Sequence, residues 1–468
     1  MTVIPDIRPL ADAEALAAAL DELRAAFGQR LSTSQSVREQ HGRDETSHEA
    51  LPDAVVFARS TEEVVTAVTI CSKHGIPMVA FGTGTSLEGH IAAIHGGISI
   101  DVSQMNEVLE VNAADLDCLV QAGVTRKQLN DYVRHDGLMF PIDPGADASL
   151  GGMAATGASG TNAVRYGTMR ENVIGLTVVL ADGRVVRTGG RARKSSAGYD
   201  LTRLMVGSEG TLGIITEVRL RLYGIPEAIG AAVCSFETME GAVTTVIETI
   251  QMGIPVARME LLDDVQMDAI NRYSKLDHPV LSTIFFEFHG TPASVEEQSQ
   301  MVGELAEANG ARGFSWAKEA EDRAALWKAR HDAFYAAMAL RPGCQGWATD
   351  VCVPISRLAE CILQTKGDIE ESGLVAPIVG HVGDGNFHLV FVLDPEKKAE
   401  WEEANRLNDR MIERALSMGG TCTGEHGIGC GKLDLLAQEH GDSLPMMRAI
   451  KQALDPDGLM NPGKIVRC

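Results

Sequence analysis

The sequence predicts an α+β chain. Helices alternate with antiparallel strands, the texture changes near Tyr223-Gly224-Ile225-Pro226, and an Asp-Gly pair joins two apolar runs late in the chain. Its 468 residues suffice for two or three domains. The boundaries fall at 1–223, 224–428 and a C-terminal segment 429–468. A 45% hydrophobic content allows large cores. The net charge of −23 argues against nucleic acid and against an anionic membrane surface. Nine scattered cysteines with no CxxC spacing read as reduced thiols of a cytoplasmic protein. Met1 to Leu10 lacks the pattern of a signal peptide. No apolar run reaches the roughly 18 residues of a spanning helix, so no transmembrane segment is expected.

Apolar residues at helical spacing (Leu16, Leu20, Leu23, Phe27) predict a leading helix over 9–28. The polar stretch 29–52 predicts a loop, and 53–58 a strand. Ser60 with Glu63 forms a capping-box signal for a helix that Gly75-Ile76-Pro77 stops. Strand 78–81 opens into Gly82-Thr83-Gly84-Thr85-Ser86-Leu87-Glu88-Gly89. Such a turn exposes backbone N–H groups to an anion. It is neither the Rossmann fingerprint nor a Walker loop. Strands 98–102 and 118–121 and helix 125–135 follow. Pro144-Gly145 precedes a small-residue tract, 150–162, whose low side-chain volume suggests backbone lying against a large flat ligand. Asp182-Gly183 turns a hairpin, and Gly207–Ile215 leads into a strand through Leu222.

Beyond Ala228 the pattern gives strands at 231–236, 258–262, 281–288 and 351–354. Helices are expected at 239–252, 294–309, 321–340, 355–372 and 400–418, and short ones within 430–468. This reads as a sheet with helices on one face.

Gly380-His381-Val382-Gly383-Asp384-Gly385-Asn386-Phe387-His388 carries the chemistry. With Asp384-Gly385 as a two-residue loop, His381 opposes His388, and opposed Cβ atoms lie roughly 5 Å apart. Two imidazoles at one point suit a metal. Gly424-Glu425-His426-Gly427-Ile428-Gly429 adds a carboxylate and a third imidazole. Two His and one carboxylate form a divalent-metal site with open positions. His426 is then left to act as a base. Zn, Mn and Fe(II) all suit this donor set.

These stretches in this order resemble the FAD-binding (PCMH-type) domain of vanillyl-alcohol-oxidase-type enzymes. HVGDGNFH, GEHGIG and the terminal NPGK resemble the D-2-hydroxyacid dehydrogenase branch, and within it the cytochrome-type, FAD-dependent D-lactate dehydrogenases. The likeness runs from about Asp53 to Lys464. It implies a two-subdomain FAD-binding domain, an α+β cap domain with an antiparallel sheet that carries the metal hairpin, and a C-terminal helical segment. It also implies FAD against Gly82, Thr83, Gly84, Thr85, Ser86, Gly89, Pro144, Gly145, Gly151, Gly152, Thr156, Gly160, Thr161, Gly210, Ile215 and Asn461. Some relatives tether FAD through a His within the first loop. Here Thr83 and Thr85 flank Gly84 and the nearest His is His90, so non-covalent FAD is expected.

By the same likeness His381, His388 and Glu425 hold one divalent metal, and His426 is the catalytic base. Arg330 binds the substrate carboxylate, with Asn386, His381, His388 and His426 around the substrate. A guanidinium fork suits a carboxylate. Where the D-2-hydroxyglutarate enzymes place a Thr and a Lys, this chain has Phe334 and Ala348, which argues for a short substrate. The implied reaction is oxidation of D-lactate to pyruvate, with cytochrome c, a quinone or a flavoprotein as electron acceptor. Glycolate and D-2-hydroxyglutarate are the competing substrates. A non-redox metal hydrolase and a non-catalytic assembly subunit are the competing classes. A homodimer stays open, as does attachment to the periphery of an inner membrane.

Overall fold

A computed structural model describes residues 11–46, 48–317 and 320–467. The chain divides into two compact units. One comprises the residues through Ser159, Gly167–Ile225 and Glu425 onward; the other comprises Gly160–Tyr166 and Pro226–Gly424. Among the described residues no helix is long and apolar enough to cross a membrane. The described cysteines are free thiols.

Besides a two-stranded pairing of Leu138–Met139 with Tyr223–Gly224, the first unit holds two larger sheets. In one, Ala54–Phe57 and Met78–Phe81 flank Ile98–Asp101 in parallel, and Leu31–Ser32 pairs antiparallel at the edge. Helix Ala13–Phe27 and helix Thr61–Lys73 supply Leu23, Val64 and Val68 to a core shared with Ile98 and Ile100. Ser60 caps the second helix by accepting from Glu63 N at 3.3 Å. The other sheet is antiparallel, in the order Val108–Asn112, Asp117–Gln121, Ile214–Arg221, Val173–Val179, Val185–Gly189. Its last two strands are the expected hairpin, with Gly183 at φ +81° in the turn.

The second unit is built on one antiparallel sheet. Its order is Ala311–Ala317, Ala228–Phe236, Ser282–Gly290, Val256–Leu262, Ile378–Gly380, Asn386–Leu393, Gln345–Ala348. One face is apolar: Phe286, Phe288, Phe387 and Phe391 are fully buried. The opposite face carries apolar Val233, Phe285, Val390 and Val392 in one cluster. It also carries buried polar residues, because Arg258 and Glu260 share a face, as do Glu287 and His289.

Several expectations need correction. The stretch 29–52 is not a loop throughout: Ser34 leads into helix Gln35–His41, whose His41 binds Asp101. The helix expected over 321–340 breaks at Asp332 (ψ 1°) into Ala320–His331 and Ala333–Ala339. The break lets Trp327 before it and Ala333, Ala336 and Ala337 after it enter the same core. The small-residue tract contains a short helix, Leu150–Thr156, for which there was no expectation. Strands Val108–Asn112 and Ala311–Ala317 and helix Asp264–Ser274 had no expectation at all.

The metal hairpin also differs. Its register pairs Val379 with His388 and Ile378 with Leu389, so His381 is not opposite His388. A 3-10 turn, Val382–Asp384, and Gly385 at φ +81° make a longer loop. The cause is a third segment. Gly385 docks on Val353, whose N donates to the Gly385 carbonyl at 3.0 Å. A Cβ on Gly385 would sit 2.1 Å from the Val353 oxygen. The two rings still meet, with centroids 5.5 Å apart at 80°.

All four tryptophans (Trp316, Trp327, Trp347, Trp401) lie in the second unit, so their fluorescence reports its unfolding. Phe286→Ala should cost about 3–5 kcal/mol, the range for deleting a buried aromatic ring. The check is a lower urea midpoint in tryptophan fluorescence.

Candidate functional site

The first unit contains an open cleft. Gly82–Ser86, Pro144, Gly151, Gly152, Thr156, Gly210, Ile215 and Asn461 line it, as do Glu425 and His426. Strand Met78–Phe81 ends at its mouth. The N–H groups of Gly82 through Ser86 donate to no other described residue, which leaves them available to an anionic ligand. The glycines are there for space. A Cβ on Gly82 would sit 2.2 Å from Ser149 Oγ, and one on Gly152 would sit 2.9 Å from it. Gly84 and Gly210 both hold φ +71°, a region that side chains resist. The lining of the cleft therefore fits FAD in its chemistry.

Two expected residues stand back from this cleft. Gly89 donates its N–H to Asp44 Oδ2 at 2.7 Å, and Gly145 donates to Asp143 Oδ1 at 3.2 Å. Gly160 and Thr161 belong to the second unit, where the Thr161 side chain is buried. The Asn461 amide, at φ +40°, donates to the carbonyls of His90 (3.0 Å) and Glu209 (2.7 Å), so it holds the cleft wall together.

Behind the wall lies Glu209, which the sequence reading passed over. Its carboxylate accepts from Ile428 N (2.7 Å) and Gly429 N (2.8 Å) and faces His90 Nε2 at 3.3 Å. Burial pushes this carboxyl up, and His90 with the two N–H groups more than offsets it, leaving Glu209 below its ordinary value. Burial likewise lowers His90, yet Glu209 beside it leaves the ring above its ordinary value.

The second unit holds a separate cluster centred on Glu260, which is fully buried on strand Val256–Leu262. Arg330 donates to Glu260 Oε2 from Nε (2.9 Å) and Nη2 (2.6 Å). His381 Nδ1 lies 2.8 and 2.9 Å from the two carboxylate oxygens. Burial raises the Glu260 carboxyl, but His381 and Arg330 hold it below the usual range, so it is ionised. His381 Nδ1 therefore donates to it. His388 Nδ1 donates to the Thr349 carbonyl at 2.8 Å. Both rings thus present Nε2 with the other nitrogen pinned, the arrangement of metal-ligating imidazoles. The donor chemistry of this half fits a divalent metal.

Asn386 is bonded through its Nδ2 only, and its Oδ1 is buried with no hydrogen-bond partner among the described residues. Its Nδ2 donates to Asp350 Oδ1 (2.7 Å) and the Val351 carbonyl (2.8 Å), so it braces the hairpin. Phe334 is 42% exposed, and a Cβ on Gly346 would touch its ring at 2.7 Å. The helix break at Asp332 separates it from Arg330, which removes the geometric basis for reading substrate length from Phe334. Glu260, Glu209 and Asp350 were missed, although a lone acid inside Arg258-Met259-Glu260-Leu261-Leu262 was a visible signal.

Comparison with known proteins gives matches across most of the chain. The FAD binding domain model matches residues 52–189, and the model for FAD linked oxidases, C-terminal domain, matches 225–465. A probable mitochondrial D-lactate dehydrogenase of Danio rerio is 54% identical over 441 residues, 93% of this chain and 89% of that one. A mitochondrial D-lactate dehydrogenase [cytochrome] of Arabidopsis thaliana is 47% identical, over 96% of this chain and 80% of the relative. Among solved structures, p-cresol methylhydroxylase shares the fold with a TM-score of 0.81 at 19% identity, covering 98% of this chain and 99% of that one.

A β-branched residue at Gly84 costs about 1–3 kcal/mol of backbone strain. Gly84→Val should therefore weaken flavin binding by about tenfold or more. The check is the flavin absorbance per chain after gel filtration.

Proposed function

The chain belongs to the FAD-linked oxidase family, among its D-lactate dehydrogenases, and from that premise we propose that it oxidises D-lactate to pyruvate. The observation that carries the reading is Glu260, which locks a guanidinium and an imidazole together. Arg330 keeps Nη1 uncommitted to Glu260 and can take the substrate carboxylate. His381, His388 and Glu425 would hold a divalent metal (Zn, Mn or Fe), which would supply Lewis acidity at the C2 hydroxyl. FAD, bound without a covalent tether, supplies the acceptor for the C2 hydride. His426 accepts the hydroxyl proton. One proton and one hydride leave lactate, and pyruvate results.

A cytochrome c, a quinone or a flavoprotein then takes the electrons. A cytoplasmic location, with peripheral attachment to an inner membrane, belongs to the same proposal, while the names of the Danio rerio and Arabidopsis relatives place those proteins in mitochondria.

The first test is an anaerobic visible spectrum with D-lactate, L-lactate, glycolate and D-2-hydroxyglutarate added separately. D-lactate should bleach the flavin band and the others hardly at all. Faster bleaching by glycolate or D-2-hydroxyglutarate would move the substrate assignment. Dialysis against a chelator should abolish the bleaching while the flavin band stays.

Arg330→Ala should raise the D-lactate KM by about 10- to 100-fold, since a charge-assisted hydrogen bond contributes about 1.5–3 kcal/mol. An unchanged KM removes Arg330 from the substrate site.

A further inference from the structure

In the FAD-binding unit, the segment carrying His426 wraps around two buried acids that come from the glycine-rich loops. Glu209, at the end of Gly207-Ser208-Glu209, takes the N–H groups of Ile428 and Gly429. Glu88, at the end of the first loop, acts twice. Its carbonyl accepts from Cys430 N (3.0 Å) and Gly431 N (3.3 Å). Its carboxylate lies 3.1 Å from Lys432 Nζ and 3.6 Å from His426 Nδ1. The Glu88 side chain is 12% exposed and that of His426 6%. Burial pushes the Glu88 carboxyl up, but Lys432 and His426 hold it below its ordinary value, so it is charged. The close approach is built into the backbone: a Cβ on Gly429 would lie 1.9 Å from the Glu88 carbonyl oxygen.

We propose that Glu88 is the positioning residue for His426. Its carboxylate faces Nδ1 at 3.6 Å and fixes the orientation of the ring, which turns its Nε2 edge away from Glu88. A contact of 3.6 Å is longer than a hydrogen bond. Contacts of this kind tighten when the substrate complex forms. Two positions before Glu88, Ser86 lines the flavin cleft, as does His426 itself. The loop that cradles the cofactor therefore also sets the orientation of the base. The inference rests on the reading of His426 as the proton acceptor. The competing explanation is that Glu88 only pairs with Lys432.

Single-turnover flavin reduction by D-lactate in the FAD-loaded, full-length protein separates them. Glu88→Gln should slow reduction by roughly 10- to 100-fold, the range for losing a carboxylate behind a functional imidazole. The half-saturating D-lactate concentration and the flavin content should hold. Lys432→Gln should reduce its flavin near the wild-type rate. The Glu88→Gln/His426→Gln double variant should be no slower than His426→Gln alone.

A wild-type rate in Glu88→Gln, or equal losses in Glu88→Gln and Lys432→Gln, overturns the inference. If Glu88→Gln sheds flavin, Glu88→Asp decides: slow reduction with full flavin supports it, and a wild-type rate overturns it. A wild-type rate in His426→Gln is a different failure, that of the base assignment itself.

Discussion

A carboxylate removed fully from water is costly, by several kcal/mol even after relaxation, unless donors surround it. Glu260 meets that condition with a guanidinium on one side and an imidazole on the other. The constraint runs in both directions. Arg330 comes from a helix, His381 from the start of a hairpin loop and Glu260 from a strand interior, and each is fixed by the need to satisfy the other two. Removing Glu260 would take from the Arg330 guanidinium both of the hydrogen bonds it makes to that carboxylate. One acid therefore holds a guanidinium and an imidazole in register, on the face of the sheet where Arg258 and Glu287 form a second buried pair.

The FAD-binding unit uses the same physics with different partners. Its cleft is made by removing side chains, at Gly82, Gly84, Gly152 and Gly210, so that backbone can face the ligand. A wall without side chains has little to hold it in place. Glu209 supplies the missing connection by binding Ile428 and Gly429, and Asn461 ties the Glu209 and His90 carbonyls together. Buried acids and amides do here what apolar packing does in the shared core around Leu23, Val64 and Ile100.

Local signals in the sequence were legible where one residue decides a local geometry. Ser60 caps its helix, Asp182-Gly183 turns its hairpin, and the glycine-rich loops reach a common cleft. The failures share a different cause: the deciding partner lies far along the chain. Gly385 looked like the second residue of a two-residue turn, but Val353 reshapes the loop, and the register shifts. Asp332 looked tolerable inside a long helix, but the core around Phe285 and Val390 needs side chains from both sides of a break. A strand interior of Arg258-Met259-Glu260 announces a buried acid without saying which cations will meet it.

The GEHGIG motif shows why so short a stretch can carry so much. The chain passes from one compact unit to the other between Gly424 and Glu425. On one side, Gly424 is glycine because a Cβ would lie 2.3 Å from Asn386 Nδ2, within the braced hairpin. On the other, Ile428 through Gly431 are gripped by Glu209 and Glu88. Only Glu425, His426 and Gly427 lie between the two clamps. Gly427, at φ +83°, is closed to larger residues by His90 and Glu209. On the C-terminal side of that span the backbone is held by the N–H groups of Ile428 and Gly429 donating to the buried Glu209 carboxylate.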